Sequence, residues 1–409
     1  MNIATPVERP ALPPHVDPSR VREYDVFKGY KPDEVATPHD GLMRLAEDQG
    51  RGIFWTVSNG GHWFINDREL LFQAVRNPGL FSSTAMTIPP LPRDKEPKML
   101  PLMLDPPEHG AFRMPLMKAF APESIKRLES SIRALAIELI DGVAANGRCE
   151  FLEEIAEPLP VTVFMKMMGI PLERLPEYRA TMFDMMSDDE ARRLNSFAVF
   201  GEDMGKLVVE RMAKREDDLI SRLIDADIDG RKATYEELVN YCVLLLTAGL
   251  DTLVNAFSFG VAHLAIDPEL QRRLKGDPSL ISPFMEELLR RYGGVMPPRL
   301  VMHDAEFGGV QLKAGDRVLM MLPAGNLDPQ ATPDFERFDI DREEVPHLTF
   351  NSGPHRCAGS HLARLEMRVF FEEWFARVPV FRLDPESPPV YRPGINIAMW
   401  KLPIVWDAD

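Results

Sequence analysis

Three of the 409 residues are cysteine, and one of them, Cys357, stands where a thiol could do chemistry. It lies in Phe350-Asn351-Ser352-Gly353-Pro354-His355-Arg356-Cys357-Ala358-Gly359, just ahead of a helix predicted over residues 360–378. Glycines let a chain bend tightly and approach a flat ligand closely. A helix N-terminus offers unpaired N–H groups and the positive end of the macrodipole. Both favour thiolate, the form that a soft metal centre takes as ligand. His355 and Arg356 stand beside it and could meet carboxylate groups. Two plainer readings compete. A free cysteine is usually a small buried hydrophobe, and on the cysteine alone that reading leads. Zinc on His355, Cys357 and His361 is the other, but the spacing is not that of a closed site and no fourth ligand is near in sequence.

A second constellation is Ala248-Gly249-Leu250-Asp251-Thr252. It falls in the middle of a stretch that reads as one helix over residues 234–266. Thr234 and Glu237 make a capping box at its start, and Asp267-Pro268 stops it. At 1.5 Å per residue the helix would be about 48 Å long. From Cys242 to Ala265 it is apolar on nearly every face, which places it in a large core or in lipid. Asp251 at a bilayer centre would cost at least ~2.5 kcal/mol, and the flanks are acidic, so the core reading is preferred. A glycine inside a helix costs about 1 kcal/mol against alanine, and a buried acid needs a partner. Thr252 could bond back to a carbonyl one turn earlier, with Asp251 paired to a distant base. Alternatively, Gly249, Asp251 and Thr252 make a distortion that opens space for a ligand and water beside a proton relay.

The elements that must position these groups follow. Glu287-Leu288-Leu289-Arg290 puts an acid and a base on one helix face, and Arg337 in Pro333-Asp334-Phe335-Glu336-Arg337-Phe338 supplies another base. A glutamate between two arginines, Glu287 with Arg290 and Arg337, could pin the cysteine loop to the core. Residues 1–40 read as an irregular, proline-rich lead-in and 41–409 as one large domain. A hairpin is predicted over 52–65 around Asn59-Gly60-Gly61, then a helix over 66–80. Seven prolines between 82 and 107 imply a structured loop. Successive helices are predicted from 122 to 265, strands near 310–312 and 317–322, and an irregular C-terminal segment. The fold class is therefore mainly α with a minor β region.

Composition bounds the partners. Lys and Arg number 47 against 63 Asp and Glu, a net charge of −16, which disfavours nucleic acid and an anionic membrane surface. Three scattered cysteines fit a reducing cytoplasm, and the N-terminal stretch has no apolar segment of a leader or anchor.

Taken in order, these motifs resemble the cytochrome P450 family over nearly the whole chain, from about residue 40, and most of all its bacterial camphor-hydroxylating branch. Phe-x-x-Gly-x-His-x-Cys-x-Gly, Glu-x-x-Arg and Ala-Gly-x-Asp-Thr carry the resemblance. Segments such as GLDTLVN, EELLRR, GVQLKAGD and LPIVWD add to it.

The resemblance implies a helix-rich single domain holding haem b, with Cys357 as axial thiolate in a loop that includes Phe350 and Gly359. His355, Arg299, His109 and Arg113 would meet the propionates. Glu287, Arg290 and Arg337 would form a structural cluster. Gly249, Asp251 and Thr252 would activate oxygen. It implies hydroxylation of a small hydrophobic substrate with O2 and electrons from an iron–sulfur ferredoxin served by an NAD(P)H-dependent reductase, in a monomer. Arg113, Arg356 and Arg364 are candidates for the docking patch, although Glu344 stands where the camphor-hydroxylating branch has lysine. Thr87, Met99, Leu244, Thr247, Val295 and Ile395 match pocket positions, and Met182, Phe183, Met185 and Met186 could form a roof. The loop between Phe81 and Leu104 lacks the tyrosine that would bind a camphor ketone, which points to another terpenoid or a norisoprenoid. A peroxide-using enzyme and a non-catalytic haem sensor or carrier are the rivals.

Overall fold

The computed structural model describes residues 12–91, 98–185, 190–249 and 251–407. Fifteen α-helices run through those residues. They are α1 (Pro38–Gln49), α2 (Arg68–Val75), α3 (Glu108–Ala119), α4 (Pro122–Lys126), α5 (Glu129–Ala144), α6 (Pro158–Met168), α7 (Leu175–Met185) and α8 (Glu190–Ala213). Next come α9 (Leu219–Asp225), α10 (Tyr235–Gly249), α11 (Thr252–Ile266), α12 (Pro268–Gly276), α13 (Ile281–Tyr292), α14 (Leu322–Asn326) and α15 (Ser360–Arg377).

The strands are short and lie at the margins. β1 (Ile53–Thr56) and β2 (His62–Ile65) form the expected hairpin, with Asn59, Gly60 and Gly61 all at positive φ. They join β3 (Phe81–Ser82), β5 (Pro298–Val301) and β8 (Arg317–Met320) in the order β1-β2-β8-β5-β3. β4 (Arg148–Glu150) pairs with β12 (Pro403–Trp406), which also pairs with β9 (Phe381–Leu383). β6 (Ala305–Phe307) pairs with β7 (Val310–Leu312), and β10 (Val390–Arg392) with β11 (Ala398–Lys401). The C-terminal segment expected to be irregular therefore carries four strands. Each has three or four residues, and their partners are remote or lie across a loop, so no local alternation announces them.

One apolar core gathers α5, α6, α10, α11, α13 and α15, and a smaller one lies under the five-stranded sheet. Phe257 of α11 meets Phe370 of α15 at 4.9 Å between ring centroids, and Phe371 meets Phe284 of α13 at 4.9 Å. Fully burying each such ring is worth about 1.5–3 kcal/mol. The cysteine loop, which precedes α15, is thereby tied to the central helices.

Thr234 and Glu237 make the expected box, with Thr234 N–H to Glu237 Oε2 at 2.7 Å and Glu237 N–H to Thr234 Oγ1 at 3.2 Å. The stretch 235–266 is the one among the described residues long and apolar enough to cross a bilayer, and more than half of its most apolar window is buried in this core. It is not one helix, however. The chain leaves helical geometry at Asp251 (φ −122°, ψ −44°), dividing α10 from α11. Side chains compete with the helical ladder there: Thr252 Oγ1 donates to the Ala248 carbonyl at 3.0 Å, and Asn255 Nδ2 donates to the Asp251 carbonyl at 3.0 Å.

Candidate active site

The cysteine loop is built backbone first. Asn351 and Gly353 both take positive φ, 58° and 69°. A β-carbon at Gly353 would lie 3.0 Å from the Val75 carbonyl, so the loop backs directly onto the end of α2. The turn closes when Cys357 N–H donates to the Phe350 carbonyl at 2.8 Å. Cys357 is thereby held, as an exposed residue, just before α15.

Electrostatics at that sulfur oppose each other. Desolvation raises the thiol pKa, while the Gly359 N–H and the charges of Arg113, Arg364 and Arg356 lower it. A metal cation would complete what these groups begin, since a coordinating thiol is deprotonated outright.

Around it gathers an excess of positive and N–H groups. Arg299 of β5 is 2% exposed, and no carboxylate lies within ion-pair distance among the described residues. Burial depresses its guanidinium to about 10, with Asp105 opposing. His355 Nε2 lies 3.0 Å from Ser83 Oγ, and its ring stacks obliquely on His109 at 4.3 Å. Burial first, then Arg299 and its neighbours, push His355 down to about 3; burial and Arg113 push His109 down to about 4. Both rings are neutral at pH 7, and each can donate one N–H. His109 Nε2 is buried without a hydrogen bond. Arg113, one turn further along α3, reaches the Arg356 carbonyl. Arg299 donates to the Pro298 carbonyl at 2.8 Å but has no ion-pair partner among the described residues, and with the orphaned His109 nitrogen it suits an anionic ligand. These residues fit haem: Cys357 would hold the iron, and Arg299, His355, His109 and Arg113 the carboxylates. Bound there, haem would supply the oxygen chemistry, with electron donation from the Cys357 sulfur favouring O–O cleavage.

At the helix break, Gly249 has a steric reason. A β-carbon there would lie 2.6 Å from the Phe164 ring of α6. Asp251 Oδ1 accepts from Asn255 Nδ2 at 3.0 Å, and Asn255 Oδ1 accepts the Met399 N–H of β11 at 2.9 Å. Asp251 Oδ2 is buried and unpaired. Burial raises the Asp251 carboxyl, with Asn255 and then Arg392 opposing. Thr252 is exposed. The threonine thus bonds back as the plainer reading expects, but Asp251 pairs with Asn255 one turn on and not with a distant base, leaving Oδ2 without a partner.

The Glu287–Arg290 pair is fully buried and bidentate, with Arg290 Nε and Nη2 each 2.7 Å from a Glu287 oxygen. The second arginine is not the expected one. Arg337 turns its guanidinium outward toward Asp339 at 3.8 Å and lends only its carbonyl, which accepts from Arg290 Nη2 at 3.3 Å. Arg342 reaches Glu287 Oε1 instead, at 3.3 Å. Arg364, expected on a docking patch, makes bidentate bonds to Glu286 at 2.6 and 2.8 Å and lies over the Phe350 ring at 4.6 Å. Arg356 is exposed. Glu286, Arg342, Asn255 and Phe164 were missed. Doubled acids in EELLRR and the four-residue spacing of Asp251 and Asn255 were available signals; nothing local marks Arg342 or Phe164.

The expected pocket residues fall in three places. Thr247 Oγ1 contacts Met99 Sδ at 3.9 Å, with Leu244 one turn earlier on α10. Val295 bridges Asn396, beside Ile395. Thr87 Oγ1 accepts the Leu91 N–H at 3.2 Å, and its carbonyl accepts from Arg317 at 2.7 Å. Met182, Phe183 and Met185 lie on α7, and Met186 lies outside the described residues.

A helical scaffold with an exposed cysteine just ahead of α15 and buried Arg299, His355 and His109 has the residues that a haem-thiolate protein would need. The family model for cytochrome P450 matches residues 179–277 and 279–394. A probable cytochrome P450 127A1 of Sinorhizobium fredii is 31% identical over 405 residues, covering 97% of each chain. A methyl-branched lipid omega-hydroxylase of Mycobacterium tuberculosis is 30% identical over 393 residues, 90% of this chain and 91% of that one. The crystal structure of CYP101J2 superposes with a TM-score of 0.88 at 34% identity, covering 97% of this chain and 99% of that one. The chain belongs to the cytochrome P450 family, and it is a monooxygenase of the bacterial type.

Proposed function

We propose that this monooxygenase binds haem b and hydroxylates an unactivated C–H bond of a small terpenoid or norisoprenoid. One atom of O2 enters the product and the other leaves as water, consuming two electrons and two protons. The electrons come from an iron–sulfur ferredoxin reduced by an NAD(P)H-dependent reductase. The enzyme works as a monomer in the cytoplasm, where its buried thiols Cys149 and Cys242 stay reduced.

The observation that carries this reading is the helix break. It leaves the Thr252 hydroxyl exposed and an unpaired Asp251 oxygen beside it, an acid–alcohol pair suited to delivering protons to reducing oxygen. Peroxide chemistry has no need of that pair. Met99, Leu244, Thr247, Val295 and Ile395 are mostly apolar, and the loop above them offers no phenol to a ketone.

The test is a spin-state titration of the purified holoenzyme with a terpenoid and norisoprenoid panel, and with methyl-branched fatty acids as the competing arm. Product formation with a ferredoxin and reductase follows. A shift and product with the terpenoid panel support the proposal. A response to fatty acids alone rejects the substrate class. Turnover with peroxide but with no ferredoxin rejects the electron source.

A further inference from the structure

Beside the helix break lies a cavity of about 400 Å³ that Asp251 helps to line. Asp251 and Val254 form its floor, and Glu157, Arg179, Arg392 and Trp400 are among its walls. Arg179 and Trp400 are exposed, so the cavity reaches the surface. Two carboxylate oxygens on it are buried without a hydrogen bond, Asp251 Oδ2 and Glu157 Oε2. Arg179 forms an ion pair with that same Glu157 oxygen, without an aligned hydrogen bond. Glu157 sits where a π-helical turn, Leu152–Ala156, runs into α6. Such turns often mark functional positions. The volume is ample for water, at ~30 Å³ per molecule, and its polar lining can hold water in place.

We infer that Glu157, held by Arg179 at the outer end of this cavity, passes protons from solvent to Asp251. The inference rests on the monooxygenase reading above and extends its relay outward. In each step one proton moves and no electron does. Asp251 gives its proton toward Thr252. The protonated Glu157 carboxyl returns one to the Asp251 carboxylate through cavity water. Glu157 is then reprotonated from solvent beside Arg179.

The surroundings of Glu157 suit this role. Burial raises its carboxyl to about 7; Arg179 of α7 opposes this, while Glu153 of the π turn, Glu150 of β4 and Asp251 add to it. Arg392 of β10 faces the same cavity. A carboxyl poised near neutrality can both take and give a proton.

The test uses the full-length holoenzyme with Glu157→Gln, Glu157→Asp and Asp251→Asn. Infrared titration of the resting protein should show a protonated carboxyl band lost as pH rises through about 7 and missing in Glu157→Gln. That readout does not depend on turnover. In turnover, Glu157→Gln should slow product formation at least about tenfold and enlarge the solvent deuterium isotope effect. It should also remove the loss of rate above pH 7, whereas Glu157→Asp keeps most of the rate. Slowing by Asp251→Asn with no effect of Glu157→Gln overturns the inference and leaves the relay intact. No effect of either variant overturns the relay itself. Should Glu157→Gln fail to fold, the wild-type titration decides: absence of a carboxyl band titrating near 7 sinks the proposal.

Discussion

Thr252 and Arg290 show how differently single residues in this chain do their work. Thr252 donates to the Ala248 carbonyl across the helix break, a bond of modest worth. Thr252→Ala should therefore fold normally and consume NADH, while diverting electrons to peroxide. An unchanged yield of product per electron would count against the relay. Arg290 satisfies a fully buried Glu287 and also bonds the Asn326 carbonyl at 3.3 Å. Arg290→Met leaves a carboxylate buried, with Arg342 as its remaining guanidinium. It should cost about 3–5 kcal/mol, seen as loss of soluble, haem-loaded protein. A stable variant with full haem content would show that Arg342 suffices. The pairing of Glu287 with Arg290 was legible because its motif is local. The choice between Arg337 and Arg342 was not, because spacing along an irregular loop gives no side-chain direction.

Elements hold these residues through close approaches that composition does not reveal. Gly249 lets Phe164 of α6 lie against α10. Gly249→Ala should destabilise by about 1–2 kcal/mol, as overpacking outweighs the gain in helix propensity. Adding Phe164→Leu should recover part of the loss, and additive effects would refute the contact. Glu286, on α13, anchors the segment around Cys357 through Arg364 and through His347 at 3.2 Å. Although burial opposes it, those two partners hold the Glu286 carboxyl down at about 2. A depressed carboxylate contributes stability that is present above its unfolded value of 4.5 and is lost as pH falls toward 2. Glu286→Gln should therefore cost on the order of 2 kcal/mol at pH 7 and almost nothing near pH 2. An equal cost at both pH values would contradict the ion pair. Long helices with caps were readable from periodicity. The α10–α11 break was harder to place, since Asp251 and Thr252 are tolerated in helices and only Asn255 and Met399 fix the distortion. The C-terminal strands were unreadable for a related reason: they are short, and β12 is held between β9 and β4, the latter more than 250 residues away in sequence.

For the whole molecule, the arrangement is a division of labour between a rigid centre and a charged surround. The aromatic stack joining α11, α13 and α15 fixes the cysteine loop relative to the helix break. The net charge is −16, yet Arg299 is buried at the site with no ion-pair partner among the described residues, whereas the buried Arg290 is paired with Glu287. Arg299, His109 and His355 lie on β5, on α3 and in the cysteine loop, and Ser83 joins His355 from the loop after β3. Four remote stretches of chain must therefore fold together before an anion can be held.

The account stands on a sulfur anion from Cys357 binding iron, and the carbonyl spectrum of the reduced protein tests this most directly. Wild-type protein purified with ample haem should give the strongly red-shifted Soret band of a thiolate-ligated ferrous carbonyl. Cys357→His should keep haem but give the shorter-wavelength, nitrogen-ligated spectrum and no oxygenation. A colourless wild-type protein, or one whose carbonyl spectrum matches that of the histidine variant, would contradict it.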